Sequence, residues 1–231
     1  MTEAVLVLGI DTCGPTGSVA LGRLTGQTIE ILGQTELEGR SYSSTLVSAV
    51  GELLERAGVA LKTVGGIVVV HGPGSFTGVR VGLGAVKGLA EPTRIPVLAV
   101  SRLEVLAAKT GLASAALDAH RQEVFLRISE ANGKAREQLA GVEELAAIAS
   151  ELGPAPARIA VCDDAAIALL RTAWPQAQLV LTEAPTAVDA LQLCGPRLAG
   201  GESVDVAELD GHYLRRSDAE IFGEPTGTKR A

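Results

Sequence analysis

Two stretches of this chain carry residues whose types and spacing could do chemistry. In "GIDTCGPTGS", Asp11 ends an apolar run and meets a turn rich in Gly, Pro and Thr. In "HGPGSFTGVR", Gly72, Gly74 and Gly78 spell G-x-G-x-x-x-G ahead of a helical pattern. A glycine-rich turn between strand and helix can bring backbone N–H groups up to a phosphate. This one is a residue too long for the dinucleotide fingerprint, and no Gly-Lys-Ser/Thr follows it. The nearest lysine, Lys87, lies about two helical turns on. The signal for a self-sufficient nucleotide loop is therefore weak. Asp11 could hold a metal or orient a water, or it could close an Asx-type turn on nearby backbone N–H groups. Asp11, Thr12, Gly72, Gly74 and Ser75 are the candidate phosphate-loop residues.

Other reactive side chains are scattered. His71, His120 and His212 have no second histidine three or four positions away, so the helical zinc-protease arrangement is absent. Cys13, Cys162 and Cys194 are odd in number and far apart, which fits a reducing compartment and not a disulfide framework. Cys13 reads as a small filler. The acid pairs Glu143-Glu144 and Asp163-Asp164 fall at expected helix starts, where the helix dipole favours negative charge. Arg215-Arg216 is a basic spot too small to hold a nucleic acid by itself.

The elements that must position these residues alternate regularly. "AVLVLGID", "GSVALGRL" and "QTIEILGQTELE" read as strands. "YSSTLVSAVGELLERAG" reads as a helix stopped by Gly58, "VGGIVVVH" as a strand, 76–90 as a helix and "IPVLAV" as a strand. The second half repeats the pattern. "AALDAH", "EVFLRIS" and a weaker "AREQLAG" are strands, then "VEELAAIASEL" a helix, "ARIAVC" a strand, "DDAAIALLRTAW" a helix, "AQLVL" a strand and "AVDALQLCGPRLAG" a helix. Asp118 stands in the repeat where Asp11 stands first, without the glycine-rich turn. Two βββαβα units in tandem predict a duplicated α/β fold of the actin-like, ribonuclease H-like class, with units at 1–101 and 102–216 and a polar tail from 217 to 231.

The helix at 76–90 holds glycines at 78, 82, 84 and 88. Each interior glycine costs about 1 kcal/mol relative to alanine, so packing must offset the penalty. Gly78 and Gly82, then Gly84 and Gly88, form pairs that each share a face and allow a close neighbour. That neighbour is either the domain's own sheet and first helix or another protein chain; the spacing allows both.

Composition narrows the classes further. Apolar residues are 47% and charged residues 20% of the 231, an ordinary globular balance. A net charge of −7 with six aromatics (three Phe, two Tyr, one Trp) argues against a broad basic patch or a base-stacking platform for nucleic acid. The N-terminal apolar run lacks the basic start and cleavage site of a signal peptide, and no apolar run reaches the roughly 18 residues that span a bilayer. The expectation is a cytoplasmic protein.

"GIDTCGPTGSVAL", "GPGSFTGVRVGLGAVKGLA", "IPVLAVSRLEVLA", "ALDAHRQEVFL" and "HYLRR" together resemble the TsaB family over nearly the whole chain. The resemblance implies the dimerisation subunit of the bacterial machinery that installs threonylcarbamoyladenosine beside the tRNA anticodon. It implies a non-catalytic paralogue of TsaD, the subunit that carries the transfer, metal-dependent through two histidines. Arg102 and Leu106 stand at the places of those histidines, so that metal is not expected here. The implied partners are TsaD, then TsaE on the pair, a second copy of the chain when isolated, and tRNA through the complex, with no membrane. No cofactor is expected on this chain alone; ATP and a metal belong to the complex. Pairing is expected through the helices at about 42–57 and 76–90, by Tyr42, Leu46, Val50, Leu53, Gly78, Val81, Gly82, Ala85 and Leu89. "GPGSFTG" is then chiefly a turn that positions its helix, a vestige of a phosphate site. Many relatives carry a histidine where this chain has Tyr42. The rival reading from the fold class is an independent ATP-dependent phosphotransferase, and a third is a metallopeptidase, which the histidines oppose.

Overall fold

The computed structural model describes residues 4–129, 133–151 and 156–215. The first three strands, β1 (Val5–Asp11), β2 (Thr16–Thr25) and β3 (Thr28–Glu38), form an antiparallel meander. Helix α1 (Tyr42–Arg56), β4 (Val64–Val70), α2 (Phe76–Thr93) and β5 (Val97–Val100) follow, and β4 and β5 join in parallel to give the order β3-β2-β1-β4-β5. Most of β1 and β4 is buried, as expected of strands covered on both faces.

After α3 (Arg102–Lys109) the plan repeats with β6 (Ala115–Asp118), β7 (Val124–Ser129), β8 (Ala135–Ala140), α4 (Val142–Glu151), β9 (Arg158–Val161), α5 (Asp164–Ala173), β10 (Gln178–Leu181) and α6 (Ala187–Ala199). The second sheet runs β8-β7-β6-β9-β10, the same order with β6 in the place of β1. The duplicated fold expected from the sequence is the fold observed.

Two features differ from the expectation. Helix α3 was not anticipated; the "SRLEVLA" stretch that forms it is short, and Ser101 caps it by accepting the Leu103 N–H at 3.2 Å. The closing helices are also exchanged between units. Leu103, Leu106 and Ala107 of α3 pack with Ala115, Leu117 and Phe125 of the second sheet. Ala187, Ala190, Leu191 and Cys194 of α6 join the core of the first. The reason is topological. Parallel crossovers are right-handed as a rule, so two that advance in one direction place their helices on one face of the sheet, where α1 packs against α2 and α4 against α5. The other face must be covered from elsewhere, and Gly9 on β1 leaves the room: an added Cβ would come within 2.8 Å of the Ala187 carbonyl oxygen. The segment 102–216 is thus divided in space, since α6 and Val204, which bridges Val97, lie against the first sheet. The tail expected at 217–231 lies outside the described residues.

Candidate functional site

At the carboxyl ends of β1 and β4 the two candidate turns meet and satisfy one another. The Cys13 N–H donates to Asp11 Oδ1 at 2.8 Å, which makes Asp11 the anchor of an Asx-type turn. The Ser75 N–H donates to the Cys13 carbonyl at 2.8 Å, and Ser75 Oγ accepts the Gly78 N–H at 3.2 Å. Thr12 Oγ1 donates to the Gly78 carbonyl at 2.7 Å. An added Cβ at Gly74 would collide with the Cys13 carbonyl, one at Gly78 with the Thr12 carbonyl, and one at Gly82 with Thr12 Oγ1. Asp11, Thr12, Gly72, Gly74 and Ser75 are therefore brought together, but the Cys13, Ser75 and Gly78 amides a phosphate would need are already donating.

The carboxylate of Asp11 is 1% exposed and faces the guanidinium of Arg102, with Oδ2 3.8 Å from Nε. Neither of those two atoms has a hydrogen-bond partner. Burial pushes the Asp11 carboxyl above its usual range, and Arg102 pulls against that shift. Sequence reasoning compared Arg102 with a metal ligand and did not foresee this pairing. The signal was out of reach, because Asp11 and Arg102 lie on different elements of the repeat.

The expected interface residues divide. Tyr42, Leu46, Val50 and Leu53 of α1 are 3%, 1%, 4% and 2% exposed and belong to the core of the first unit. Tyr42 donates its hydroxyl to the Gly14 carbonyl at 2.8 Å, and burial pushes its phenol up to about 12. Gly78 and Gly82 are buried against Thr12. These six positions are corrected from partner-facing to inward-facing: for them the close neighbour is the chain's own β1–β2 turn or sheet. Val81, Ala85 and Leu89 are half-buried and edge the outer surface. Gly84 and Gly88 are exposed, and an added Cβ would meet nothing within 4 Å. On α1 the outward residues include Gly51 and Val47, the latter 65% exposed.

A polar cluster at the seam between the sheets was missed. Glu137 on β8 accepts Ser101 Oγ at 2.6 Å, Arg127 at 2.6 Å and pairs with His212 Nε2 at 2.8 Å. Burial would raise the Glu137 carboxyl, but the bonds from His212, Ser101 and Arg127 hold it below its usual range. The rings of His71 and His212 stack with centroids 5.4 Å apart. No local spacing could reveal a cluster whose members come from both halves of the chain. Ser101 donates to the carboxylate and not to an imidazole, so the cluster is not ordered as a serine–histidine–acid triad. Burial also raises all three thiols: Cys13 well above the ordinary range, Cys162 to about 11 and Cys194 to about 12. Such thiols are poor nucleophiles. Asp118 binds its own turn through the His120 N–H at 2.8 Å, and Asp163 caps α5, accepting from Ala166 at 2.7 Å.

Two units of identical strand order define a duplicated actin-like, ribonuclease H-like protein. Residues 33–194 match the family model described as TsaD: tRNA N6-adenosine threonylcarbamoyltransferase. YeaZ from Pseudomonas aeruginosa superposes with a TM-score of 0.69 at 31% identity, covering 93% of this chain and 100% of that one. The tRNA threonylcarbamoyladenosine biosynthesis protein TsaB of Escherichia coli is 29% identical over 92% of this chain and 96% of its own length. The TsaB of Haemophilus influenzae is 36% identical over 52% of this chain, a match spanning 47% of that protein. The chain spans about half the length of the first curated relatives it matches. The chain belongs to this family, on its TsaB (YeaZ) branch.

The metal that the resemblance assigns to TsaD does not fit here. Arg102 presents a cation to Asp11, and Leu106 is 0% exposed within an apolar cluster.

Proposed function

We propose that this chain is a non-catalytic subunit of tRNA threonylcarbamoyladenosine biosynthesis, one that pairs with TsaD and with it receives TsaE. The observation that supports this best is Arg102. Its guanidinium stands against Asp11, the candidate carboxylate for orienting a water or a metal beside the glycine-rich loop. A site built for transfer would leave that carboxylate open to its reactant. The exposed, small-residue surface around Gly84 and Gly88 suits close helix-to-helix pairing. ATP and the metal belong to the partners, tRNA is reached through the complex, a second copy takes the pairing surface when TsaD is absent, and the complex works in the cytoplasm. Among the described residues no helix is long and apolar enough to cross a membrane.

The test is reconstitution of tRNA modification from TsaC, TsaD, TsaE, ATP, threonine and bicarbonate, with and without this chain and with partners from one organism. Modification is expected to need the chain, while the chain alone modifies nothing and transfers no phosphate from ATP. Equal modification without it would refute the reading, and phosphate transfer by the isolated chain would replace it with the phosphotransferase alternative.

A further inference from the structure

The last described residues, 209–215, run as a strap across the seam between the two sheets. On the first unit the His212 N–H donates to the His71 carbonyl at 2.7 Å, and Tyr213 packs on Phe76 with ring centroids 5.0 Å apart. His71 Nδ1 lies 3.2 Å from the Asp210 carbonyl, and its ring stacks on His212 at an interplanar angle of 25°. On the second unit His212 Nε2 meets Glu137 at 2.8 Å, and Arg215 pairs with Glu123. Glu137 is fixed in turn by Ser101 and Arg127. His212 therefore stands between a stacked imidazole on one unit and a carboxylate on the other.

We propose that this strap is a proton-sensitive clasp, closed while His71 is neutral and loosened when His71 takes up a proton. Proton uptake places a positive ring face to face with His212 and charges a half-buried group. The groups facing His71 are His212 and Asp210 on the strap and Glu137, with its partner Arg127, on the second sheet. Burial lowers the His71 pKa from 6.5; the Asp210 carbonyl opposes that and His212 adds to it. Its native pKa is therefore below its unfolded value, so its contribution to closure is intact above about pH 6.5 and declines as pH falls below it. Glu137 is held below its usual range, so it stays charged through that window. The clasp is independent of which partner the chain takes.

Hydrogen exchange of the full chain, corrected for intrinsic rates, tests it at pH 7.5 and 5.5. Protection of the 209–215 segment should fall on acidification, by up to about tenfold for each unit of His71 depression. Amides of β6 and β9 should keep theirs. His71→Phe retains a ring to stack but takes up no proton, and its strap should exchange equally at both pH values. Three results overturn the proposal: wild-type strap protection independent of pH, a His71→Phe strap that still loosens in acid, or loss of β6 and β9 protection in step with the strap.

Discussion

At Asp11 two effects oppose each other: burial penalises the charge and outweighs the compensation from Arg102 at 3.8 Å. Removing one member of a buried pair leaves the other without compensation, which typically costs 3–5 kcal/mol. Arg102→Met should therefore lose about 3 kcal/mol in urea unfolding at pH 7. The sign of its pH dependence follows from Asp11. A carboxyl whose native pKa stands above its unfolded value penalises the native state while charged, and the penalty fades as pH falls through the native pKa. The deficit of Arg102→Met should thus be smaller at pH 5 than at pH 7. An equal deficit at both would mean that Arg102 acts through packing alone. The residue types were legible here: Asp11, Thr12, Gly72, Gly74 and Ser75 were all recognisable as candidate phosphate-loop residues. Arg102 as the carboxylate's counter-charge was not, because the pairing depends on how α3 departs from β5.

The glycines of α2 divide by face. Gly82 is closed by Thr12, whereas Gly84 is open. Alanine at Gly82 forces a rearrangement around Thr12, and overpacking of that kind costs about 1–3 kcal/mol. Alanine at Gly84 meets nothing and should gain about 0.5–1 kcal/mol from helix propensity. Paired urea titrations of the two variants read this difference directly. Leucine at the same two positions separates packing from pairing. Gly84→Leu should stay folded and lose association with TsaD in size-exclusion chromatography, while Gly82→Leu should lose its fold first. A folded Gly84→Leu that still pairs would remove this face from the proposed interface. The pattern of four glycines told that α2 has close neighbours; burial alone separates the pair that meets its own chain from the pair left open.

Across the whole molecule, the exchange of α3 and α6 makes each sheet depend on the other unit for one of its two layers. A fragment of residues 1–101 lacks the helix that covers the Gly9 face of its sheet, so it should show no cooperative thermal transition by circular dichroism. Leu191, 0% exposed on α6, should cost about 2–5 kcal/mol when changed to Ala, although it lies in the second half of the chain and packs on the first sheet. A cooperatively folding 1–101 fragment would show that the exchanged helix is dispensable. The sequence by itself determined the strands, most of the helices and their duplication, because alternation, helical spacing and glycine punctuation are local consequences of backbone geometry. It also carried the family resemblance, in motifs contiguous along the chain. Only the tertiary structure decided which faces are covered, which glycines are open, and which charges meet. Asp11 with Arg102 and Glu137 with Ser101 and His212 are joined by the crossing of two units, and burial and long-range contact leave no periodic trace in a single chain.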